Sequence, residues 1–378
     1  MPSSTEDFFE EPLEHSRIKA RIVSDYVISF ARILSDHLKS VRKLSAVAYI
    51  DLFSGPGSYE DGTASTPLLI LRAAVKDPKL MSSLQTYFND SNPGAAATLK
   101  RELESLSGLE KLAHKPIVLS SVASVELVHG LQLKPQTPKL FFLDPFGYKA
   151  LTMPLLRTVL NGWAECVFFF NYRRVIAAIS NPVLESHVAG LFGRNRLEAM
   201  RQELRQTSGV KAREKIVLIR LDEALYEAGA QHVLKFSFKI EDDQRSTHHL
   251  IFVTRHRKGY EVMKHIMASE SSWESENGPS MTFVQRLGTG SLFDRDPLDV
   301  LGDQLLLRLK QGPLSLDELY EAYGPETSFT QPYFKRALLR LETQGFISAE
   351  PRIQERPAPG GKPTMAGNTV LTFEKEKL

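Results

Sequence analysis

The chain has 378 residues, 42% of them apolar and 24% charged, with a formal net charge of +2. That length predicts two domains with ample core. The charged fraction excludes global disorder, and the near-balance of charge leaves any attraction to nucleic acid to local patches. The single cysteine, Cys166, excludes an internal disulfide and a Cys-based zinc site, and it lies in an apolar run that reads as a buried thiol.

Residues 1–14 read as a loose acidic arm without the apolar stretch of a secretory signal. From 16 to 40, Ile18, Ile22, Tyr26, Ile33 and Leu34 recur on one helical face. Residues 46–53, AVAYIDLF, make a short apolar strand ended by Gly-Pro-Gly, and 66–80 return to a helical pattern. The alternation continues with strand 86–89, helix 93–107, strand 116–120, helix 123–132, strand 139–143, helix 152–161 and strand 165–171. Near-continuous apolar strands between helices predict a parallel sheet covered on both faces. Residues 176–229 read as mostly helical with a break near Gly209, and strands 231–240 and 247–254 then form an antiparallel hairpin across the polar segment 241–245.

Residues 269–296 are polar and read as a linker or lid. A separate module follows. Its helices are 297–311, 316–323 (capped by Ser315 with Glu318 in a capping box) and 331–344, opened by Thr330 and closed by Gly345. Strands 346–349 and 369–373 flank a Pro/Gly-rich loop, and three helices with a two-stranded ribbon form a winged-helix pattern. The expected divisions are 1–45, 46–268, 269–296 and 297–378. No apolar run approaches the ~20 residues of a membrane span, so a cytoplasmic protein is expected.

The strongest chemical signal is YIDLFSGPGSYEDG, Tyr49 to Gly62, a strand running into a glycine-rich turn. Gly55 and Gly57 let backbone approach a ligand closely. The turn lacks both G-x-G-x-x-G and the Lys-Ser/Thr of a phosphate loop, which argues against NAD and ATP. Asp90, just past the second strand, stands where a carboxylate can accept hydrogen bonds from ribose hydroxyls. Asp144, in LDPFGY after the fourth strand, falls on the same rim, and Phe146 or Tyr148 can stack on a flat substrate. Arg173 and Arg174 end on that rim too. His248 and His249 are adjacent on a strand and point to opposite faces, so no metal site is expected. Eight basic residues and three acids lie between Phe192 and Arg220, a patch able to follow a phosphate backbone. In the C-terminal module Tyr333, Lys335, Arg336 and Arg340 lie away from Phe334, Leu338 and Leu341, as a recognition helix requires. The module carries ten Lys/Arg against eleven Asp/Glu, which suits protein docking equally.

DLFSGPG, FNDSNP, LDPFGY and HHLIFVTRHRKGYEVM, in this order and after the helix HSRIKARIVSDYVISFARIL, resemble the three-Cys-motif partner protein family (TcmP) over residues 15–270. The C-terminal module resembles the winged helix-turn-helix attached to such proteins. The resemblance implies an α/β, Rossmann-like class I methyltransferase sheet with a terminal antiparallel hairpin. It also implies partnership with a radical-SAM-like protein bearing three cysteines. By the same resemblance Asp51, Phe53, Ser54, Gly55 and Gly57 match the S-adenosylmethionine loop, and Asp90 matches the ribose ligand. Asp144-Pro145-Phe146 is similar to the Asp-Pro-Pro-aromatic motif of amino-methyltransferases, with Phe146 in place of the second proline. Ser120-Ser121 replace the acidic residue that often meets the adenine amine. The expected function is methyl transfer from S-adenosylmethionine to nucleic acid or a nucleic-acid-associated substrate, with Asp144, Phe146 and Tyr148 at the acceptor. The alternative is a non-catalytic partner or regulatory protein that binds the three-Cys-motif protein, or DNA through its winged helix.

Overall fold

The structure is a computed structural model. It describes residues 13–41, 46–59, 62–145, 149–240, 243–271, 273–274, 278–279, 281–285, 296–359 and 363–374. The chain divides into two compact units, Met1–Ile266 and Met267–Leu378.

The first unit opens with α1 (Leu13–Val41), followed by β1 (Val47–Asp51), α2 (Thr66–Ala74), α3 (Pro78–Ser83), β2 (Leu84–Asn89), α4 (Pro93–Glu104), β3 (Ile117–Leu119), α5 (Val125–Gly130) and β4 (Lys139–Leu143). Then come α6 (Met153–Val159), β5 (Ala164–Phe170), α7 (Tyr172–Ile179), α8 (Glu185–Phe192), α9 (Arg194–Gln206), α10 (Val210–Glu227), β6 (His232–Ile240), β7 (Asp243–Thr254) and α11 (Arg257–Glu270). The predicted helix 66–80 is two helices. Pro78 cannot extend α2, and Asp77 restarts the chain by accepting hydrogen bonds from the N–H groups of Lys79 and Leu80 at 2.8 and 3.2 Å. Helix α11 has no counterpart among the predicted elements.

Seven strands of this unit run in the order β3-β2-β1-β4-β5-β7-β6. The first five are parallel, β7 is antiparallel to β5, and β6 is antiparallel to β7. Strands β1, β4 and β5 are buried throughout, as a sheet covered on both faces demands. Alternation splits their side chains between two cores. Ile50, Phe141, Leu143, Cys166, Phe168 and Phe170 pack with α6 to α10. Glu165, Val167 and Phe169 point the other way, where Tyr26 and Lys19 of α1 meet Glu165 and Phe169. Helix α1 therefore runs along β5, with Tyr26 at the amino edge of the sheet and Lys19 at the carboxyl edge. Its predicted apolar face holds at Ile18, Ile22 and Tyr26, but Ile33 is 41% exposed.

The second unit holds short strands β8 (Trp273–Glu274), β9 (Gly278–Pro279) and β10 (Thr282–Gln285), then α12 (Pro297–Leu309), β11 (Leu314–Ser315), α13 (Leu316–Tyr323), α14 (Gln331–Thr343), β12 (Ile347–Glu350) and β13 (Val370–Phe373). Strands β11, β13 and β12 form an antiparallel three-stranded sheet in that order. The sequence pattern showed two of these; β11 has two residues, too few to display a period. Leu301, Leu305, Leu319, Phe334, Leu338, Leu341 and Leu371 form its core. The capping box is present: Ser315 N–H donates to Glu318 Oε2 at 2.8 Å and Glu318 N–H to Ser315 Oγ at 3.2 Å. Thr330 stands at the N-cap of α14, but its side chain makes no capping hydrogen bond.

Candidate functional site

The carboxyl ends of β1, β2 and β4 meet at one rim. Leaving β1, the chain passes through Gly55 at φ 64° and Gly57 at φ 102°, values that disfavour any side chain. A Cβ on Gly57 would stand 3.0 Å from Leu99 Cδ1, whereas one on Gly55 would meet nothing within 4 Å. Gly57 thus packs the loop on α4, and Gly55 borders open space. Ser65 ties the loop down: its N–H and Oγ donate to Gly57 O at 2.9 and 2.6 Å.

Asp90 reaches this loop directly. Its Oδ2 accepts the Gly55 N–H at 3.0 Å, and its Oδ1 accepts the Asn92 N–H at 2.8 Å. An ionised carboxylate retains further lone pairs after two such bonds, so Asp90 keeps acceptor capacity for a hydroxyl. Asn89 beside it was not foreseen. Its side chain donates to Leu52 O and Ser121 O and accepts from Ser121 N–H, at 3.1, 2.8 and 3.0 Å. It binds the ends of the first three parallel strands together, and Ser54 adds a bond from its N–H to Asn89 O at 2.8 Å.

Asp51 lies beneath, 1% exposed. It accepts the Phe53 N–H at 3.0 Å, so it holds the loop's shape from below. Burial pushes its carboxyl from 3.8 up to about 8, and the charges of Asp144 and Asp90 act in the same direction. Three carboxyl groups therefore share one small region, in which the buried Asp51 keeps its proton near neutral pH. Among the described residues no three His, Cys, Asp or Glu side chains are grouped so as to hold a metal ion.

Asp144 is gripped by a residue the sequence reading passed over. Lys19 Nζ lies 2.6 Å from Asp144 Oδ2 and 4.4 Å from the centre of the Phe169 ring. The signal was present: Lys19 shares the helical face of Ile22 and Tyr26, where a charge needs a buried partner. Phe146 and Tyr148 lie outside the described residues. Arg173 and Arg174 are exposed in the first turn of α7, where Asn171 Oδ1 caps Arg174 N–H at 3.0 Å. The two histidines diverge: His248 stacks on Phe169 at 4.7 Å, and His249 meets Ser237 Oγ at 2.9 Å.

Three of the eight basic residues of the run are taken up in ion pairs. Arg196 pairs with Glu223 and Glu227, Arg201 with Glu185 and Glu198, and Arg220 with Glu203 and Glu223. Arg201–Glu198 and Arg220–Glu223 lie within one helix, and the other four pairs join neighbouring helices. In the second unit Arg340 bridges Asp296 and Asp299 at 2.6 and 2.9 Å. Arg336 is exposed, with its guanidinium over the half-buried Tyr333 ring at 5.7 Å, and Lys335 is half-buried.

The strand order and the reversed β7 give the first unit a Rossmann-like methyltransferase fold. No family model matches the chain and no curated protein matches it, so the likeness to the three-Cys-motif partners rests on the quoted motifs. Solved structures similar to it include the DszA carbon methyltransferase, at 13% identity and TM-score 0.33, covering 58% of this chain and 50% of that one. The methyltransferase domain of bacterial CtHen1 gives 13% and 0.29, covering 61% and 99%. A SAM-dependent methyltransferase of Methanosarcina mazei gives 10% and 0.28, covering 57% and 95%. Among the described residues no single helix is long and apolar enough to cross a membrane.

Proposed function

We propose that the first unit binds S-adenosylmethionine at the carboxyl rim and transfers its methyl group to a nucleic acid or a nucleic-acid-associated substrate. One observation carries this reading. The Asp90 carboxylate is hydrogen-bonded to the Gly55 N–H at 3.0 Å, beside a glycine whose missing Cβ leaves open space. That pairing makes a cradle with a hydroxyl acceptor on one side and bare backbone on the other.

When bound, the cofactor supplies an electrophilic methyl group on a sulfonium. The chain's own task is to position and to hold protons. Asp90 accepts from the ribose, Asn89 keeps its loop in register with β1 and β3, and Asp51 holds the turn through Phe53 N–H. Asp144 accepts a hydrogen bond or proton from the methyl acceptor, and Lys19 fixes the direction of its carboxylate. Orientation of two reactants in this way provides a large part of the rate gain in such reactions. Arg173 and Arg174, exposed in the first turn of α7 just after β5, suit a phosphate-bearing substrate.

Calorimetric titration with S-adenosylmethionine and S-adenosylhomocysteine tests the cradle, with Asp90→Ala as the control. Saturable binding that weakens at least ~10-fold in the variant supports it; unaltered binding in Asp90→Ala refutes it. Transfer of labelled methyl to RNA and DNA, with Asp144→Ala alongside, tests catalysis. A second reading has its own support: Lys19 already occupies one Asp144 oxygen. In it the first unit binds the cofactor without turnover, and the second, read as a winged helix, docks DNA or the radical-SAM-like three-Cys-motif protein. Cofactor binding without methyl transfer to any nucleic acid favours that reading.

A further inference from the structure

A cavity lies at the opposite, amino edge of the sheet, with a volume of about 390 Å³, within the range of small-molecule sites. Its walls are Phe30, Ile33 and Leu34 of α1, Pro138 before β4, Trp163 before β5 and Val262 of α11. Within these apolar walls sits one acid. Glu165, 3% exposed, accepts hydrogen bonds from the Tyr26 hydroxyl and, at 2.7 Å, from Thr254 Oγ1. Gly259 permits the arrangement: a Cβ there would stand 2.3 Å from Glu165 Oε1 and 2.8 Å from the Tyr26 hydroxyl.

Both of these partners are neutral hydroxyls, and among the described residues no lysine or arginine pairs with Glu165. A carboxyl group sunk among apolar residues without a cation is costly, and burial lifts it from 4.5 to about 7. A carboxylate enclosed by aromatic and aliphatic walls is the recognition chemistry of an organic cation. The charge meets the carboxylate and the ring faces, and the hydrocarbon meets the walls. Lys258 stands exposed at the rim, and its ammonium disfavours a second positive charge there and turns the cationic end inward.

We propose that this cavity is a second small-molecule site, separate from the cradle at the carboxyl rim, that takes a protonated amine on an aromatic or branched apolar body, with the ammonium at Glu165 and the body against Phe30 and Trp163. The assignment does not depend on methyl transfer.

The probe is 2-phenylethylammonium, with 2-phenylethanol and phenylacetate as its neutral and anionic counterparts. Each is titrated into the full chain carrying Trp273→Phe, so that fluorescence reports on Trp163 alone. The expected result is saturable binding of the ammonium, about 10-fold weaker binding of the alcohol and none of phenylacetate. Glu165→Gln should erase the preference for ammonium over alcohol. Ile33→Lys, at an exposed position on the mouth, should weaken the ammonium by a similar factor with the core untouched, and it decides the matter if Glu165→Gln does not fold. Equal binding of ammonium and alcohol, no saturation by any probe, or full affinity in Ile33→Lys overturns the proposal. So does competition with S-adenosylmethionine, whose own binding should be unaffected by Glu165→Gln.

Discussion

At the scale of single residues, two carboxyl groups are kept out of water. Asp51 is raised from 3.8 to about 8 and Glu165 from 4.5 to about 7, in both cases chiefly by burial. For an acid whose folded value is raised, the folded chain still holds a proton that the unfolded chain has released. Its stabilising effect is therefore greatest below the unfolded value and is lost as pH rises toward the folded one. Melting temperature should accordingly decline between pH 4 and pH 8 more steeply in the parent than in Asp51→Asn or Glu165→Gln; parallel profiles would remove the burial argument. Lys19→Met removes the cation beside Asp144. Because Asp144 keeps a 23% solvent-exposed side chain, the cost in stability is put at about 1–2 kcal/mol, below the full penalty of a buried pair. Methyl transfer should fall in kcat while cofactor affinity holds, and an unchanged kcat would deny Lys19 its positioning role. Neither carboxyl shift was legible from the sequence. Asp90 and Gly55 were, because a glycine turn and an acid after successive strands fall together whenever those strands are parallel neighbours.

At the scale of elements, local rules and tertiary contacts divide the work. The capping box on α13 is local, with both of its bonds made within four residues. Ser315→Ala should destabilise the second unit by about 1 kcal/mol, read as a shift in its denaturant midpoint with no change in cofactor titration. The glycine loop is different. Gly57→Ala places a Cβ 3.0 Å from Leu99 at φ 102°, costing about 1–3 kcal/mol and loosening cofactor binding; a variant as tight and as stable as the parent would contradict the loop's packing on α4. Strands β1, β4 and β5 and helices α13 and α14 were readable because their apolar period is long or their caps are strong. The split between α2 and α3 was written in Asp77-Pro78, yet a window averaged over 66–80 blurs it. Strand β11 and helix α11 escaped for different reasons: the first is too short, and the second begins in the polar run Arg255-His256-Arg257-Lys258, which shows no apolar period.

At the scale of the whole molecule, part of the charge that stands out in the sequence is committed in the fold. Arg196, Arg201 and Arg220 pair with glutamates of neighbouring helices, and Arg340 pairs with the start of α12. Lys335→Glu with Arg336→Glu is therefore the sharper test of nucleic-acid contact by the second unit. The pair should lower affinity for random duplex and reduce the salt slope by about 1–2, and an unaltered slope would assign that unit to protein docking. Helix α1 joins the two edges of the first unit, with Lys19 at the cradle and Tyr26 at the amino-edge cavity. The sequence by itself determined the alternation of buried strands and helices, the turn at Gly55–Gly57 and the acid after β2, since periodicity and turn chemistry are properties of neighbours along the chain. Only the tertiary structure decided that Lys19 holds Asp144, that Asn89 binds three strand ends, and that Glu165 sits in an apolar hollow. Those partners are 32 to 139 residues apart in most cases, and a contact over such a separation depends on how the sheet is wound rather than on any local pattern.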